Sequence, residues 1–500
     1  MRIKTLRRLV QLAALAGFAW QLIGTRWDPQ AAPPALPFFL RLDPLSMLTT
    51  ARSPMGRLVP YFLPALMLLV LTVILGRFFC GWLCPLGTVL DIWERLVGSS
   101  SRPGRQEANR PTLKYYLLAA VLLAALFGTQ IAWLLDPIPL LTRTAATVIY
   151  PVTQAAYNGI VLAASSTLRA VGMRVYPVEV HHFALNIPTA AFFAGILALS
   201  LISRRYWCRT LCPLGALLGI FGRWGLWRRY ATGCVGCRKC VGECKMGAIV
   251  DEDPTATRSP ECILCYNCLV CPKPGIAHIG FKAKSQGHLV ATGVSRRGLV
   301  LSALAGAAYG AVASTAATRR PLSDKLIRPP GAIKRTASGR IVRLTEAEFR
   351  AACVRCGNCM KVCVTGGLQP AIFEAGWDGL YTPVLVPVIG WCEEKCNACG
   401  QVCPSGALIP FNIAEKPRIK LGRASVDQSK CLAWRRGNLY KECLVCKECC
   451  PYGAVQLIEV EGRMRPVVDE EKCVGCGQCE NKCPVTPERA IRVQRKGPEG

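Results

Sequence analysis

The sequence predicts a mainly α membrane bundle of about five transmembrane helices joined to two cysteine-rich α+β regions. Three observations predict it: apolar stretches of span length recur before residue 320, 24 of the 29 cysteines fall into six groups of four, and one cysteine-bearing block is repeated. Only four histidines accompany the cysteines, 51% of the residues are hydrophobic and the formal net charge is +30, which sets the chain apart from ordinary soluble enzymes.

A bilayer core takes about 20 mainly apolar residues per helix. Such stretches lie at residues 9–24, 58–75, 115–135 and 183–202, with a fifth, richer in small residues, at 299–317. The first follows MRIKTLRR, a charged start that also suits a cleaved signal peptide, but no clear small-residue cleavage site follows it. Lys and Arg collect in cytoplasmic loops, so Arg2, Lys4, Arg7 and Arg8 place the N-terminus there. Residues 204–297 hold 15 Lys/Arg against 5 Asp/Glu, whereas residues 136–182 hold 3 Arg against 2 acids. Span count and charge therefore agree on a cytoplasmic segment, and a fifth span puts the rest in the periplasm. The expected location is the bacterial inner membrane, multi-pass, in contact with lipid and open to a membrane complex. The expected domains are 1–205, a four-helix region; 206–290, a cytoplasmic segment; 291–318, the fifth span; and 319–500, a periplasmic domain.

The cytoplasmic segment carries CVGCRKCVGEC (Cys234, Cys237, Cys240, Cys244) and CILCYNCLVCP (Cys262, Cys265, Cys268, Cys271). The C-terminal region carries CVRCGNCMKVC (Cys353, Cys356, Cys359, Cys363), CEEKCNACGQVCP (Cys392, Cys396, Cys399, Cys403) and CVGCGQCENKCP (Cys473, Cys476, Cys479, Cys483). A stretched sixth motif has Cys431, then Cys443, Cys446 and Cys450. Three thiolates within seven residues let one tight loop cap three irons of a cubane, while the fourth, usually before Pro, reaches the neighbouring cluster. Zinc motifs use two separated C-x-x-C knuckles, and disulfide frameworks belong to small secreted domains. The reading is six [4Fe-4S] clusters, and the α+β regions are ferredoxin-like. Cross-ligation in the cytoplasmic pair puts Cys271 with Cys234, Cys237 and Cys240, and Cys244 with Cys262, Cys265 and Cys268. In the C-terminal region the four motifs pair in more than one way, and Cys449 is a non-ligand. Each oxidised cluster with four thiolates adds −2, so six bring +30 to about +18. Topology signal accounts for much of the rest, and no nucleic-acid partner is expected.

The other four cysteines sit in RFFCGWLCPLGTVLDIW (residues 77–93) and RYWCRTLCPLGALLGIF (residues 205–221). Arg77, Cys80, Cys84, Pro85, Leu86 and Gly87 correspond to Arg205, Cys208, Cys212, Pro213, Leu214 and Gly215, which points to two copies of one structural unit. On a helix, cysteines at i and i+4 share a face, so two pairs offer four thiols to one site. A metal centre, a redox-active thiol pair, the wall of a quinone pocket and plain packing of small buried residues all suit Cys80, Cys84, Cys208 and Cys212.

Residues 295–317, SRRGLVLSALAGAAYGAVASTAA, read as an internal twin-arginine export signal, or as a fifth span whose Arg296 and Arg297 are ordinary positive-inside residues. A-x-A-like residues near 311–317 leave cleavage open, with retention as an anchor preferred. Asp136 and the His181-His182 pair are candidate proton acceptors. No C-x-x-C-H, no G-x-G-x-x-G after a strand and no P-loop occur, so neither c-type haem, dinucleotide nor ATP is indicated. Adjacent His181 and His182, with His278 and His288 in the cytoplasmic segment, do not suit a b-type haem either.

On CGWLCPLG, WCRTLCPLG and the order of the cluster motifs, the chain resembles a fusion of two families of periplasmic nitrate reduction and methylamine oxidation. Residues 1 to about 290 resemble the NapH/MauN membrane quinol dehydrogenases, and the remainder resembles the NapG/MauM periplasmic ferredoxins. The resemblance implies quinol as substrate, a cluster chain as conductor, and a periplasmic cytochrome c or reductase as acceptor, with Cys80, Cys84, Cys208 and Cys212 functionally important. A passive relay without its own quinol site and a maturation or regulatory polyferredoxin are the competing classes.

Overall fold

The computed structural model describes residues 2–25, 37–50, 58–98, 112–165, 172, 174–231, 234–272, 276–281, 293–315, 326–336, 338–435 and 441–495. The boundaries expected at 290–291 and 318–319, residues 316–317 of the candidate processing stretch, and His288 lie outside the described residues. The chain divides into two compact units: Met1–Ile23, Pro37–Thr142 and Pro188–Ser314 form one, and Gly24–Leu36, Arg143–Ile187 and Thr315–Gly500 form the other.

Helices dominate the first unit. Pro85 and Pro213 open the helices Pro85–Leu96 and Pro213–Gly222, where a ring-fixed φ suits the first turn and the missing N–H would have no helical partner. Leu86, Leu90, Leu214 and Leu218 on these two helices are buried. The helix Arg296–Ala313 is capped by Ser295, whose Oγ accepts the Gly298 N–H at 3.1 Å. It lies along the helix Leu113–Leu126, and Gly306 is the reason they approach so closely: a Cβ there would collide with the Ala120 backbone. One antiparallel hairpin, Trp227–Ala231 with Ala277–Phe281, pairs Tyr230 with His278 and brackets the first cysteine-rich segment.

The second unit is built from short pieces. Four two-stranded antiparallel ribbons are Ile333–Arg335 with Ile341–Arg343, Leu368–Pro370 with Pro383–Leu385, Arg423–Val426 with Ile491–Gln494, and Val455–Val460 with Arg463–Val468. The helix Glu346–Ala352 starts with a capping box between Thr345 and Glu348. One core gathers Phe183, Phe349 and Phe411 with Cys353, Cys399, Cys431 and Cys473, so the motif cysteines are part of the hydrophobic interior. Small ribbons and short helices thus surround the buried cysteines.

The membrane bundle of about five transmembrane helices is not what the structure contains, and the multi-pass inner-membrane location falls with it. No described helix is long and apolar enough to cross a membrane. The 115–135 stretch breaks after Leu126, where Gly128 takes φ 77°, into helices Leu113–Leu126 and Ala132–Leu135. The 183–202 stretch becomes the 17-residue helix Asn186–Ile202. Helix Leu58–Leu75 has 18 residues, about 27 Å at ~1.5 Å each, against a hydrocarbon core of about 30 Å. The 9–24 stretch belongs to helix Arg2–Gly24, whose first turns carry Arg2, Lys4, Arg7 and Arg8, and the 299–317 stretch belongs to Arg296–Ala313, diluted by two arginines and by Gly, Ala and Ser.

Asp136 is fully buried, and so is Asp43. Ser46 Oγ donates to Asp43 Oδ2 at 2.6 Å and lies 3.5 Å from Asp136 Oδ2. Burial raises both carboxyl pKa values, and the neighbouring Asp43 raises that of Asp136 further. The folded state thus keeps protons that the unfolded chain has lost, so the pair stabilises at low pH and that contribution fades as pH rises above the ordinary carboxyl range, about 4. Asp136→Asn, which is neutral at every pH, should flatten the fall in unfolding free energy between about pH 5 and 8. Denaturant melts across that range check it, and an unchanged slope would contradict the account.

Candidate metal centres

Four cavities are each lined by four cysteines. Cys353, Cys356, Cys359 and Cys403 enclose about 360 Å³, open mouth included, beside Phe349 and Leu408. Cys363, Cys392, Cys396 and Cys399 enclose about 420 Å³. Cys450, Cys473, Cys476 and Cys479 enclose about 340 Å³, and Cys244, Cys262, Cys265 and Cys268 about 360 Å³. In every case three cysteines come from one motif and the fourth from the end of another. Cys431 interacts electrostatically with Cys443 and Cys483, and Cys446 with Cys431 and Cys443, so the stretched motif faces Cys483. Cys240 groups with Cys234 and Cys237, and Cys271 is the remaining cysteine of that segment.

The loops are shaped by a recurring backbone signature. In each of the four C-x2-C-x2-C motifs, the second and fourth residues after the first cysteine take left-handed φ: Gly236 and Arg238, Leu264 and Tyr266, Arg355 and Gly357, Gly475 and Gly477. Two left-handed residues in five curl the chain so that three thiols face one centre. For Leu264, Tyr266, Arg238 and Arg355 that conformation costs about 1–2 kcal/mol each, strain of the kind that gathers at functional sites. A second turn follows the fourth cysteine, with Gly247, Gly366, Gly406 and Gly453 left-handed three residues on. It aims backbone donors at sulfur: Ala248 N–H to Cys244 Sγ at 3.2 Å, Leu408 to Cys403 at 3.3 Å and Ala454 to Cys450 at 3.3 Å. Such bonds stabilise thiolate and tune cluster potential. As free thiols these cysteines are penalised: burial pushes Cys353 up to about 11 and Cys268 up to about 12. Among the described residues no three His, Cys, Asp or Glu side chains are placed to hold a single metal ion. Four sulfurs lining one cavity, with N–H donors aimed inward, instead fit a polynuclear cluster.

Contacts also order the C-terminal sets. Cys363 and Cys403 are exchanged between the first two, and Cys450 and Cys483 between the last two. The Cys392 N–H donates to the Cys476 carbonyl at 2.8 Å, and the two thiols interact. The order is therefore Cys353 set, Cys392 set, Cys473 set, Cys431 set. Cys449 lies beside the last two, with Sγ 3.7 Å from the Cys446 carbonyl. His181 does not stand free: Nε2 is 3.1 Å from the Cys363 carbonyl and Nδ1 3.3 Å from Gln154 Nε2. His182 is exposed, and its carbonyl accepts from Gln369.

In the first unit the repeated blocks meet through exchanged arginines. Arg205 Nη1 donates to the Cys80 carbonyl at 2.9 Å and Nη2 to the Gly87 carbonyl at 3.0 Å. Arg77 Nη2 reaches the Cys208 carbonyl at 3.5 Å and packs on Gly215, where a Cβ would collide with it. Each arginine thus clasps the C-P-L-G turn of the other copy. Arg77 Nε also lies 3.4 Å from Cys80 Sγ. The thiols converge: Cys84 interacts with Cys80 and Cys208, and Cys212 with Cys208 and Cys80. Burial raises Cys84 and Cys212 and pushes Cys208 up to about 11. Arg205 is held by Asp91 at 2.8 Å, and Arg77 by Glu261 at 3.5 Å, which Lys114 also bonds. Burial alone would raise Asp91, but Arg205 and Lys245 outweigh it and hold it far below the usual carboxylate range. Burial lowers Lys114 to about 8 although Glu261 opposes the shift. The Cys262 loop packs directly on this site: Gly81 abuts the Ile263 carbonyl, and Trp82 Nε1 donates to the Leu264 carbonyl at 3.0 Å. The sequence paired Arg77 with Arg205 only as repeat positions. Nothing in it signalled Asp43, Asp91, Glu261 or Lys114.

Fold and sites together define an iron–sulfur electron-transfer protein of the ferredoxin type. A 4Fe-4S binding domain family matches residues 59–103 and again 185–230, and a second 4Fe-4S binding domain family matches residues 466–486. Over 208 residues the chain is 35% identical to the methylamine utilization ferredoxin-type protein MauM of Paracoccus denitrificans, covering 39% of this chain and 82% of that protein. It is 35% identical to the ferredoxin-type protein NapG of Escherichia coli, over 33% of this chain and 69% of that one. It is 30% identical to the methylamine utilization ferredoxin-type protein MauN of Methylorubrum extorquens, over 48% and 74%. No solved structure matches. The chain belongs to the family of MauM, NapG and MauN ferredoxin-type proteins, with a MauM/NapG-like part and a MauN-like part.

Gly475 tests the loop geometry. Its φ is 74° and a Cβ would collide with the Gly422 backbone. Gly475→Ala should cost about four iron atoms per chain while the other clusters keep their spectra. Iron and acid-labile sulfide analysis of anaerobically purified protein checks this, and full retention of iron would contradict it.

Proposed function

We propose that the chain conducts electrons from a quinol through six [4Fe-4S] clusters to a separate redox protein, a cytochrome c or a reductase. The proposed ligand sets are Cys234, Cys237, Cys240 and Cys271; Cys244, Cys262, Cys265 and Cys268; Cys353, Cys356, Cys359 and Cys403; Cys363, Cys392, Cys396 and Cys399; Cys431, Cys443, Cys446 and Cys483; and Cys450, Cys473, Cys476 and Cys479. The observation that carries the reading is the exchange of fourth cysteines between neighbouring sets, since a shared motif keeps two clusters close enough to pass an electron.

A quinol gives up two electrons and two protons, and a cluster takes one electron at a time. A series of clusters therefore divides the pair, leaving the protons to nearby bases. Entry is assigned to the first unit because the paired Cys-x3-Cys turns abut the Cys262 loop. The C-terminal sets, in the order given above, supply the conductor towards the acceptor. When bound, the clusters supply the redox chemistry. The chain's residues fix their spacing, exclude water with the Phe349 and Phe411 core, and bias their potentials through the N–H donors to Cys244, Cys403 and Cys450.

Anaerobic addition of menaquinol, then ubiquinol, to the purified full chain should reduce clusters, followed by EPR. Reduction within turnover time by either quinol is the expected result. Clusters that dithionite reduces but neither quinol does would overturn the quinol reading and favour a relay fed by a partner protein.

A further inference from the structure

Each segment matched as a 4Fe-4S binding domain, 59–103 and 185–230, contains only two cysteines: Cys80 and Cys84 in the first, Cys208 and Cys212 in the second. A cluster of this kind needs about four protein ligands, so neither segment can hold one alone. The two segments are nevertheless built against each other, with Arg77 and Arg205 exchanged between them and each of the four thiols interacting with a cysteine of the other copy. We propose that Cys80, Cys84, Cys208 and Cys212 jointly ligate a seventh iron–sulfur cluster, seated between the two copies of the repeat.

Charge provides independent support. The ion pairs that surround the two turns join five cations, Arg7, Arg77, Lys114, Arg205 and Lys245, to three acids, Asp91, Glu94 and Glu261. Among the described residues this leaves a surplus of two positive charges at a site where Arg7, Arg77, Lys114 and Arg205 are each no more than 1% exposed. Arg7 also faces Cys265 of the neighbouring set, which takes up part of that surplus, while the buried Arg77 and Arg205 face Cys80 and Cys208 themselves, where neutral thiols would leave them less well compensated. Four thiolates around a +2 iron–sulfur core carry −2 and supply the anion that Arg77 and Arg205 face.

The local backbone is also suited to sulfur ligation. Cys84 and Cys212 occupy the N-cap positions of the helices Pro85–Leu96 and Pro213–Gly222, and the Gly215 N–H donates to Cys212 Sγ at 3.2 Å. Helix N-termini favour anionic sulfur through their free N–H groups. Arg77 Nε, 3.4 Å from Cys80 Sγ, supplies a charged donor to a second ligand. The seventh centre abuts the Cys262 loop at Gly81 and Trp82, so it extends the cluster series by one member at the end where that series otherwise begins.

A seventh centre adds to the metal content whichever donor reduces the protein, so counting the centres tests it. Native mass spectrometry of the anaerobically purified full chain, with iron and sulfide analysis, should find one iron–sulfur centre beyond the six: more than about 24 iron atoms per chain. The double variant Cys84→Ser/Cys212→Ser should lose that centre alone, leaving about 24 iron atoms and the remaining EPR signals unchanged. Six centres in the anaerobically purified wild-type chain would overturn the proposal whether or not the variant folds.

Discussion

Much of this molecule follows from one constraint: a cubane presents four irons at tetrahedral corners, and a short peptide loop can reach only three of them. The fourth thiolate must come from elsewhere, so a chain with several such loops has to fold back on itself in pairs. That requirement fits the long-range contacts of the second unit, where Cys403 reaches the Cys353 loop and Cys483 the Cys431 loop. It also fits the shortness of the ribbons, which are three to six residues long, and a core that mixes Phe349 and Phe411 with cysteine sulfur. In such a domain the metal–sulfur bonds contribute folding free energy that a larger apolar core would otherwise supply. The strained Leu264, Tyr266 and Arg355 are then held in place by the ligands on either side of them.

Electrostatics carries the same logic into the first unit. Buried arginines and lysines are costly unless paired, yet the first unit buries Arg77 and Arg205 of the repeat, with Arg7 and Lys114 beside them, around a few carboxylates. The exchange of Arg77 and Arg205 gives the two copies an approximate two-fold relation: each guanidinium satisfies carbonyls of the opposite turn. An anionic metal–thiolate centre between them makes the arrangement intelligible as a whole. The +30 formal charge of the chain has the same physical meaning on a larger scale, since iron–sulfur centres with their thiolates are anions that a residue tally omits.

What was legible in the sequence was whatever has a fixed local spacing. The C-x2-C-x2-C loops and the doubled C-P-L-G block can be read directly, because each is a property of one short segment, whereas the left-handed Gly three residues after Cys244, Cys363, Cys403 and Cys450 emerged only from the backbone. The partner of each C-terminal motif could not be read, because the Cys392–Cys476 backbone bond is set by how distant segments dock. Asp43 gave no signal beside Asp136 for the same reason. The apolar windows misled in a different way: mean hydropathy over 115–135 ignores that Gly128 ends the helix, and the window at 299–317 ignores how Arg, Gly and Ser dilute it. Apolar length is necessary for a spanning helix and is not sufficient to make one.

Cross-ligation is the claim on which this account turns. The most direct test is an iron anomalous difference map from anaerobically grown crystals of the full chain. The account predicts an iron cluster within bonding distance of Cys353, Cys356, Cys359 and Cys403 together, and a second one beside Cys363, Cys392, Cys396 and Cys399. Clusters bound by the four cysteines of a single motif, with Cys363 returning to its own loop and Cys403 to its own, would contradict it.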